Sequence, residues 1–281
     1  MKRNTVKRSL IILIATIGLT NLLSGCADNK AGEPDEGSDK TIKVAASSVP
    51  HAEILEAAKE SLKESGYTLE ITEFQDYVKP NDVVEEGEYD ANYFQHQPYL
   101  DDFNAEKGTH LTSVAKIHYE PFGIYPGISD SLADIKEGSK IAVPNDTTNE
   151  ARALLLLEDN DIIVLKEGAG LSATIQDIEE NPYKVEIVEL EAAQVARVTG
   201  EVDFIVLNGN YALDAGFDVA KDAIAAEKSD SEAAQTYANV ICIKEGNEKN
   251  EGIKALVEVL QSEEIQKYIE ETYSGAVVPI S

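Results

Sequence analysis

The sequence predicts an α/β protein, on three observations. Strand and helix signals alternate from Thr41 onward, as in folds that cover a largely parallel sheet with helices. The stretch from Thr41 to Ser281 is long for one domain and comfortable for two lobes. No repeat with a period of roughly 20–50 residues is visible, so a solenoid or propeller is not expected.

Taken in order, Thr41 to Ala46 (TIKVAA) is an apolar, β-branched run and predicts the first strand. Pro50-His51 opens a helix to about Glu64, which Gly66 stops. Thr68 to Phe74 is the second strand. Pro80-Asn81 starts a short helix ending at Gly87; a proline is tolerated there because its missing N–H would have no helical partner anyway. Tyr89 to Ala91 is a short strand, and Gln95 to Glu106 a helix that stops at Gly108. Ala115 to Tyr119 and Gly123-Ile124 are extended, broken by Pro121. Leu132 to Lys136 is a short helix and Lys140 to Val143 a strand. Ile162 to Leu165 is a strand, Ser172 to Glu179 a helix, Val185 to Leu190 a strand and Glu191 to Val198 a helix. Asp203 to Leu207 is a strand that ends on Asn208-Gly209-Asn210. Tyr237 to Ile243 is the last strong strand, and helices at Glu251 to Gln261 and Ser262 to Tyr273 finish the chain.

The first 25 residues read as an address. Lys2, Arg3, Lys7 and Arg8 form a basic region, and Ser9 to Leu23 is apolar but too short to span a bilayer. It ends in Leu23-Ser24-Gly25-Cys26, which resembles a bacterial lipobox, so Cys26 is expected to be lipidated and to become the new N-terminus. Each buried CH₂ of such an anchor contributes about 0.8 kcal/mol. A plain secretory leader with a chance cysteine is the alternative. Ala27 to Lys40 (ADNKAGEPDEGSDK) has no apolar run and is expected to be a disordered acidic leash with a reach of about 20 Å.

Formal charge is −28, and loss of a leader carrying four basic residues and no acid makes it −32. Such a surface repels nucleic acid and anionic headgroups, so no nucleic-acid partner is expected. Only Cys26 and Cys242 occur, which excludes a disulfide or metal framework. Cys242, in ANVICI, is expected to be a buried small hydrophobe.

Pro144 to Leu157 (PNDTTNEARALLLL) is a turn followed by a helix. Thr147 and Glu150 fit a capping box, and Ala151, Leu154, Leu155 and Leu157 supply an apolar stripe. Asn149 and Arg152, three apart, share a face near the helix start, where the dipole favours an anion and mildly disfavours a cation. Arg152 therefore needs a carboxylate, either from a ligand or from Glu150 or another nearby acid. Pocket residues are sought just past strand ends, where open α/β sheets bind ligands. Asp76-Tyr77, the run Asn92 to His96, Arg152 and Asn208 lie there, and Asn239 is a polar residue inside an apolar strand that needs a partner.

These residues fall in blocks that resemble the NlpA/MetQ family of methionine-binding lipoproteins, solute receptors of ABC importers. The blocks are PHAEIL (from Pro50), FQDYVKPN (from Phe74), DANYFQHQPYL (from Asp90), VPNDTTNEARALLLL (from Val143), IVELEAAQVAR (from Ile187), NGNYA (from Asn208) and GAVVP (from Gly275). The resemblance implies a two-lobed periplasmic-binding-protein fold, type II-like, with two crossovers and a ligand cleft between the lobes. Lobe 1 would take 41–123 plus 237–281 and lobe 2 would take 124–236. It also implies a monomer that binds L-methionine or a similar amino acid and delivers it to a separate permease and its ATPase, held to the membrane by the anchor at Cys26.

By the same resemblance Arg152 would clamp the ligand carboxylate. Asn149, Asn208 and Asn239 would hydrogen-bond the ammonium and carboxylate, and Tyr77, Tyr93 and Phe94 would wall the thioether. His96 would donate to the ligand or orient its neighbours, and Tyr125 is a further candidate. Other roles remain open at several positions: a turn at Asn208, a neighbouring strand for Asn239, a helix cap at His96, and core for one of Tyr93 and Phe94, since adjacent strand residues point oppositely. The chain departs from the common pattern at Gly209-Asn210 and at Phe122.

Two other classes compete. The same fold could hold a methionine-containing dipeptide or another apolar amino acid, because one methylene changes selectivity by only about 1–3 kcal/mol. A dinucleotide-binding enzyme is suggested by Gly168-Ala169-Gly170-Leu171-Ser172-Ala173 between a strand and a helix, with Glu189 about 20 residues on. Against it, no catalytic set, G-x-S-x-G, H-E-x-x-H or Walker loop is present, and neither a cofactor nor catalysis is expected.

Overall fold

The structure, a computed structural model, describes residues 40–228 and 235–280. The leader, Cys26 and the leash lie outside the described residues, except that Lys40, expected to end the leash, starts the first strand. In chain order the strands are β1 (Lys40–Ala46), β2 (Tyr67–Glu73), β3 (Ala91–His96), β4 (Leu111–Tyr119), β5 (Gly123–Pro126), β6 (Lys140–Pro144), β7 (Val164–Leu165), β8 (Ile178–Glu180), β9 (Glu186–Leu190), β10 (Phe204–Leu207), β11 (Ala225–Ala226), β12 (Asn239–Lys244) and β13 (Val278–Pro279). The helices that matter for the site are α1 (Glu53–Glu64), α2 (Lys79–Glu85), α3 (Gln97–Lys107) and α4 (Thr147–Asp159).

Two sheets organise two lobes. The first has the order β13-β4-β12-β3-β1-β2, and the second β11-β5-β10-β6-β9. β1 runs parallel to β2 and β3, while β12 runs antiparallel to β3 and β4. In the second sheet β6 runs parallel to β10 and β9, and β5 antiparallel to β10. The chain passes from the first sheet to the second between Tyr119 and Gly123, and returns between Ala226 and Asn239. Each lobe has its own apolar core. One gathers Val44, Ile54, Leu55, Leu62, Ile241 and Leu256, and the other Ile141, Val143, Leu154, Leu157, Phe204 and Val206. Cys242 is free and buried, as expected. Among the described residues no helix is long and apolar enough to cross a membrane.

Several expectations are corrected. β3 runs on through Phe94, Gln95 and His96, so the following helix starts at Gln97 rather than Gln95. Its register against β12 skips Phe94, a β-bulge that re-aims the side chains of this strand beside the cleft. Asn239 is the first residue of β12 and not inside it. Ser172 to Glu179 is not a helix: two 3₁₀ turns (Gly170–Ser172, Ile175–Asp177) lead into β8, which pairs antiparallel with β7. A dinucleotide fold needs a parallel strand-helix-strand unit at this point, so the glycine pattern there does not mark one. Gly168 and Gly170 instead supply the positive φ of a tight turn, +83° and +55°.

Candidate ligand-binding site

The site is built around the start of α4. Asp146, not Thr147, is the N-cap; its Oδ1 accepts from the Asn149 N–H at 3.0 Å. Glu150 does not close a capping box, since its Oε1 accepts from the Ile175 N–H at 3.0 Å. Asp146 Oδ1 also takes the Asn149 Nδ2 at 2.8 Å, which turns the Asn149 amide oxygen towards the cleft. That oxygen accepts from His96 Nε2 at 3.1 Å and from Asn208 Nδ2 at 2.7 Å.

His96 ends β3 and caps α3, its Nδ1 accepting from the Tyr99 N–H at 3.2 Å. The ring therefore carries its proton on Nε2. Burial, with Arg152 nearby, pushes its pKa down to about 3, so it stays neutral across the physiological range. Capping and facing the cleft, left as alternatives by the sequence, are both true of His96.

One amide polarity follows. Asn208 spends its Nδ2 on Asn149, and its Oδ1 is buried without a partner. Asn239 Oδ1 lies 3.0 Å from His51 Nε2. An amide oxygen only accepts, so His51 donates here, and Asn239, which lines the cavity, keeps its Nδ2 apart from this bond.

Arg152 is 4% exposed. Its Nε and Nη2 donate to the Glu227 carboxylate at 2.8 and 2.5 Å, and Nη2 also donates to the Glu120 carbonyl at 3.0 Å. The two Nη1 hydrogens lie outside these bonds. The guanidinium stacks on Tyr237 at 4.2 Å and Phe122 at 4.7 Å. Phe122, one of the departures from the family pattern, is thus a platform for Arg152. Glu227 also accepts from the Tyr119 hydroxyl and the Phe122 N–H, so it ties together both passages between the lobes. Burial pushes its carboxyl up, but Arg152 outweighs that and holds it below its usual range.

These groups line a narrow cavity at the cleft. Of the expected residues, Tyr77, Phe94, His96, Asn149, Arg152, Asn208 and Asn239 line it. Tyr77 and Phe94 form an aromatic wall with Tyr99, ring centroids 5.6 to 6.0 Å apart. The Tyr77 hydroxyl donates to Asn210 Oδ1 at 2.5 Å, which gives the second departure, Gly209-Asn210, a role across the cleft.

Tyr93 and Tyr125 are not in the cavity wall. Tyr93 faces the first core, edge-on to His51 at 4.7 Å, with its hydroxyl on His118 Nδ1. Tyr125 packs against Phe217 in the second lobe, its ring 5.2 Å away. Both are strand residues that point away from the cleft.

Sequence reasoning missed Tyr99 and Glu120, and held Gln95 only within a candidate run and Gly209-Asn210 only as a departure from the family pattern. Glu120 had a signal, as an acid inside the apolar run IHYEPFGIY. Among the described residues, His51, His118 and Glu120 alone bring three metal-ligating atoms within 4.8 Å. Glu120 Oε1 accepts from His118 Nε2 at 2.7 Å, and His51 Nε2, 3.5 Å from that oxygen, donates to Asn239 Oδ1 at 3.0 Å.

The profile of the NlpA lipoprotein family matches residues 42–281. The chain is 38% identical over 264 residues to the methionine-binding lipoprotein MetQ of Bacillus subtilis, spanning 92% of this chain and 94% of that one. A lipoprotein structure from Ruminococcus gnavus is 72% identical with a TM-score of 0.86, covering 86% of this chain and 100% of that one. A nutrient-binding protein of Burkholderia cenocepacia, solved bound to methionine, is 41% identical with a TM-score of 0.81, covering 85% and 100%. The two sheets and the cleft between them are the two-lobed binding-protein fold of these relatives, and the chain belongs to the NlpA lipoprotein family.

Proposed function

We propose that this chain is the extracytoplasmic substrate-binding lipoprotein of an ABC importer and binds L-methionine or a close relative between its lobes. One observation carries this. One narrow cavity presents a guanidinium edge, an unpartnered amide oxygen and an aromatic wall, the complements of a carboxylate, an ammonium and an apolar side chain. The carboxylate meets Arg152 Nη1 and Asn239 Nδ2, the ammonium meets Asn208 Oδ1, and the thioether lies along Tyr77, Phe94 and Tyr99, where sulfur beside a ring gains about 0.3–1.5 kcal/mol. Asn149 and His96 set the Asn208 amide. The methionine-bound Burkholderia relative supports the choice of ligand. The placement of strands supports lobe 1 at 41–123 plus 237–281 and lobe 2 at 124–236.

The decisive experiment is a thermal-shift screen of residues 41–281, refolded to remove carried ligand, against the amino acids. L-methionine at 100 times its Kd is expected to stabilise the native state by about 2.7 kcal/mol. No shift with any amino acid would retire this function. A dipeptide is the second reading, favoured by an adjoining open groove that shares Tyr77 and Tyr99 with the first cavity. A shift with Gly-Met alone would select it.

The chain acts by binding rather than catalysis, as a monomer tethered through lipidated Cys26, and hands its ligand to a membrane permease driven by a cytoplasmic ATPase. Cys26→Ser is expected to move the protein from the membrane to the soluble fraction. Retention of that variant in membranes would exclude the lipid anchor.

A further inference from the structure

We propose that Asn81, Asn92 and Gln95 form a register lock: they fix a β-bulge in β3 and so aim Phe94 and His96 into the ligand cavity. They act as positioning residues, and the inference rests on the amino-acid reading above. All three are buried, Asn81 and Asn92 completely. Asn81 lies on α2, and Asn92 and Gln95 lie on β3. Asn81 Oδ1 accepts from Asn92 Nδ2 at 2.8 Å and from Gln95 Nε2 at 2.6 Å. Asn81 Nδ2 donates to Gln95 Oε1 at 3.0 Å. Gln95 Nε2 also donates to Asn92 Oδ1 at 2.9 Å, and Asn92 Nδ2 donates to the Pro80 carbonyl at 3.0 Å. Every polar atom of the three side chains thus has a partner, in a network complete without a ligand.

This network exists only with the bulge. Asn92 and Gln95 are three apart, so regular alternation would set them on opposite faces of the strand. They bond each other because the register against β12 passes from Tyr93 to Gln95 and leaves Phe94 out. The extra residue brings Gln95 round to the face of Asn92. β1 does not hold this part of the strand, since it pairs with β3 only from Ala91 to Tyr93. Asn81 takes over from α2. A slip that took Phe94 back into register would exchange the faces of Gln95 and His96 and break the network.

Phe94 and His96 are the residues this geometry serves. Both line the cavity, whereas Asn81 and Asn92 do not. Phe94 belongs to the aromatic wall with Tyr77 and Tyr99. His96 accepts at Nδ1 from the Tyr99 N–H and donates at Nε2 to Asn149. Stability does not call for amides here. Cys242, opposite Asn92 on β12, packs with Val84, Leu100, Phe103 and Leu111 in an apolar layer. Apolar groups of similar shape can replace a buried hydrogen-bonded set at little cost, but they leave the register free to slip.

The test compares wild type with two variants. Asn81→Ala removes the hub of the network from outside the cavity, and Asn81→Leu/Asn92→Leu/Gln95→Leu leaves none of its amides unpaired. Calorimetry with L-methionine measures affinity, and nitrogen NMR of the imidazole rings in the unliganded proteins reports the His96 tautomer. Wild type is expected to hold His96 in the Nε2–H form, because the Tyr99 N–H occupies Nδ1. Both variants are expected to lose this single tautomer and to bind L-methionine at least about tenfold more weakly. The triple variant is expected to melt no lower than wild type. Wild-type affinity in either variant overturns the proposal. An unchanged His96 tautomer overturns it too, even with weaker binding, because the network would then act by another route. A triple variant that melts well below wild type also overturns it, since the amides would then serve stability. If Asn81→Ala fails to fold, the triple variant carries the test. If wild type binds no amino acid and the variants still lose the tautomer, the amino-acid reading fails and the register lock stands.

Discussion

Arg152→Ala is expected to abolish measurable ligand binding and to lower stability by about 3–5 kcal/mol, because it removes the guanidinium edge and strands a buried carboxylate. Arg152 and Glu227 keep only 4% and 11% of their side chains exposed, so water cannot take over either role. With Arg152 gone, only the hydrogen bonds from Tyr119 and the Phe122 N–H oppose burial at Glu227, and its carboxyl moves up. The sign follows by linkage. In wild type the depressed carboxyl adds stability above the unfolded pKa, lost as pH falls through the folded one. In Arg152→Ala the loss is largest at neutral pH and shrinks on acidification. Adding Glu227→Gln should restore much of the stability and none of the binding. Denaturant titration and calorimetry on the two variants check both halves. Unchanged affinity in Arg152→Ala would remove this residue from the site.

Gly209→Ala is expected to weaken ligand binding by about 30-fold or more and to destabilise the fold by about 1–3 kcal/mol. The added methyl would meet Glu120 Cβ at 2.6 Å, and a Cβ cannot rotate out of the way as a side-chain tip can. Either the Asn208–Asn210 turn shifts or the Glu120 backbone does. Both moves displace groups of the same cavity: Asn208 and Asn210 on one side, and on the other Glu120, whose carbonyl holds Arg152. Calorimetry with L-methionine measures the first effect and thermal melting the second. Wild-type affinity in Gly209→Ala would show that this close approach has no functional weight.

The sequence carried much of the fold because the strands β1, β2, β6, β9 and β10 are apolar runs bounded by turn residues, and the last two helices have clear stripes and caps. β3 was placed too early, at Tyr89 to Ala91, because Asn92, Gln95 and His96 mix polar residues into a wholly buried strand, where period-two alternation is absent. The segment 172–179 has helix-compatible residues but too few to hold a helix without packing, and the neighbouring strand took its end. The N-cap moved from Thr147 to Asp146, a one-residue shift that reassigns Glu150 entirely.

In the site, polar residues at strand ends were legible because an amide or imidazole in an apolar neighbourhood demands a partner. Glu227 was not, for a reason of background, and the signal at Glu120, an acid in an apolar run, was passed over for the same reason. In a chain with 52 acids a buried carboxylate looks like any other until its surroundings are known. Tyr93 and Tyr125 were placed in the site by type, and the direction of each side chain along its strand put them elsewhere.

The polar half of the cavity is pinned from behind. Asp146 holds Asn149, Asn149 holds Asn208, His51 holds Asn239, and Glu227 holds Arg152. Gln95 is locked to Asn81 and Asn92 in a buried amide cluster. The aromatic half is held by packing, by the bond from Tyr77 to Asn210 and by the Tyr99 hydroxyl on the Tyr77 carbonyl at 3.0 Å. The cavity is therefore modular. A change at the polar end leaves a buried partner behind, whereas Phe94, held by packing alone, leaves none, so a new side-chain preference costs least when it starts from that wall.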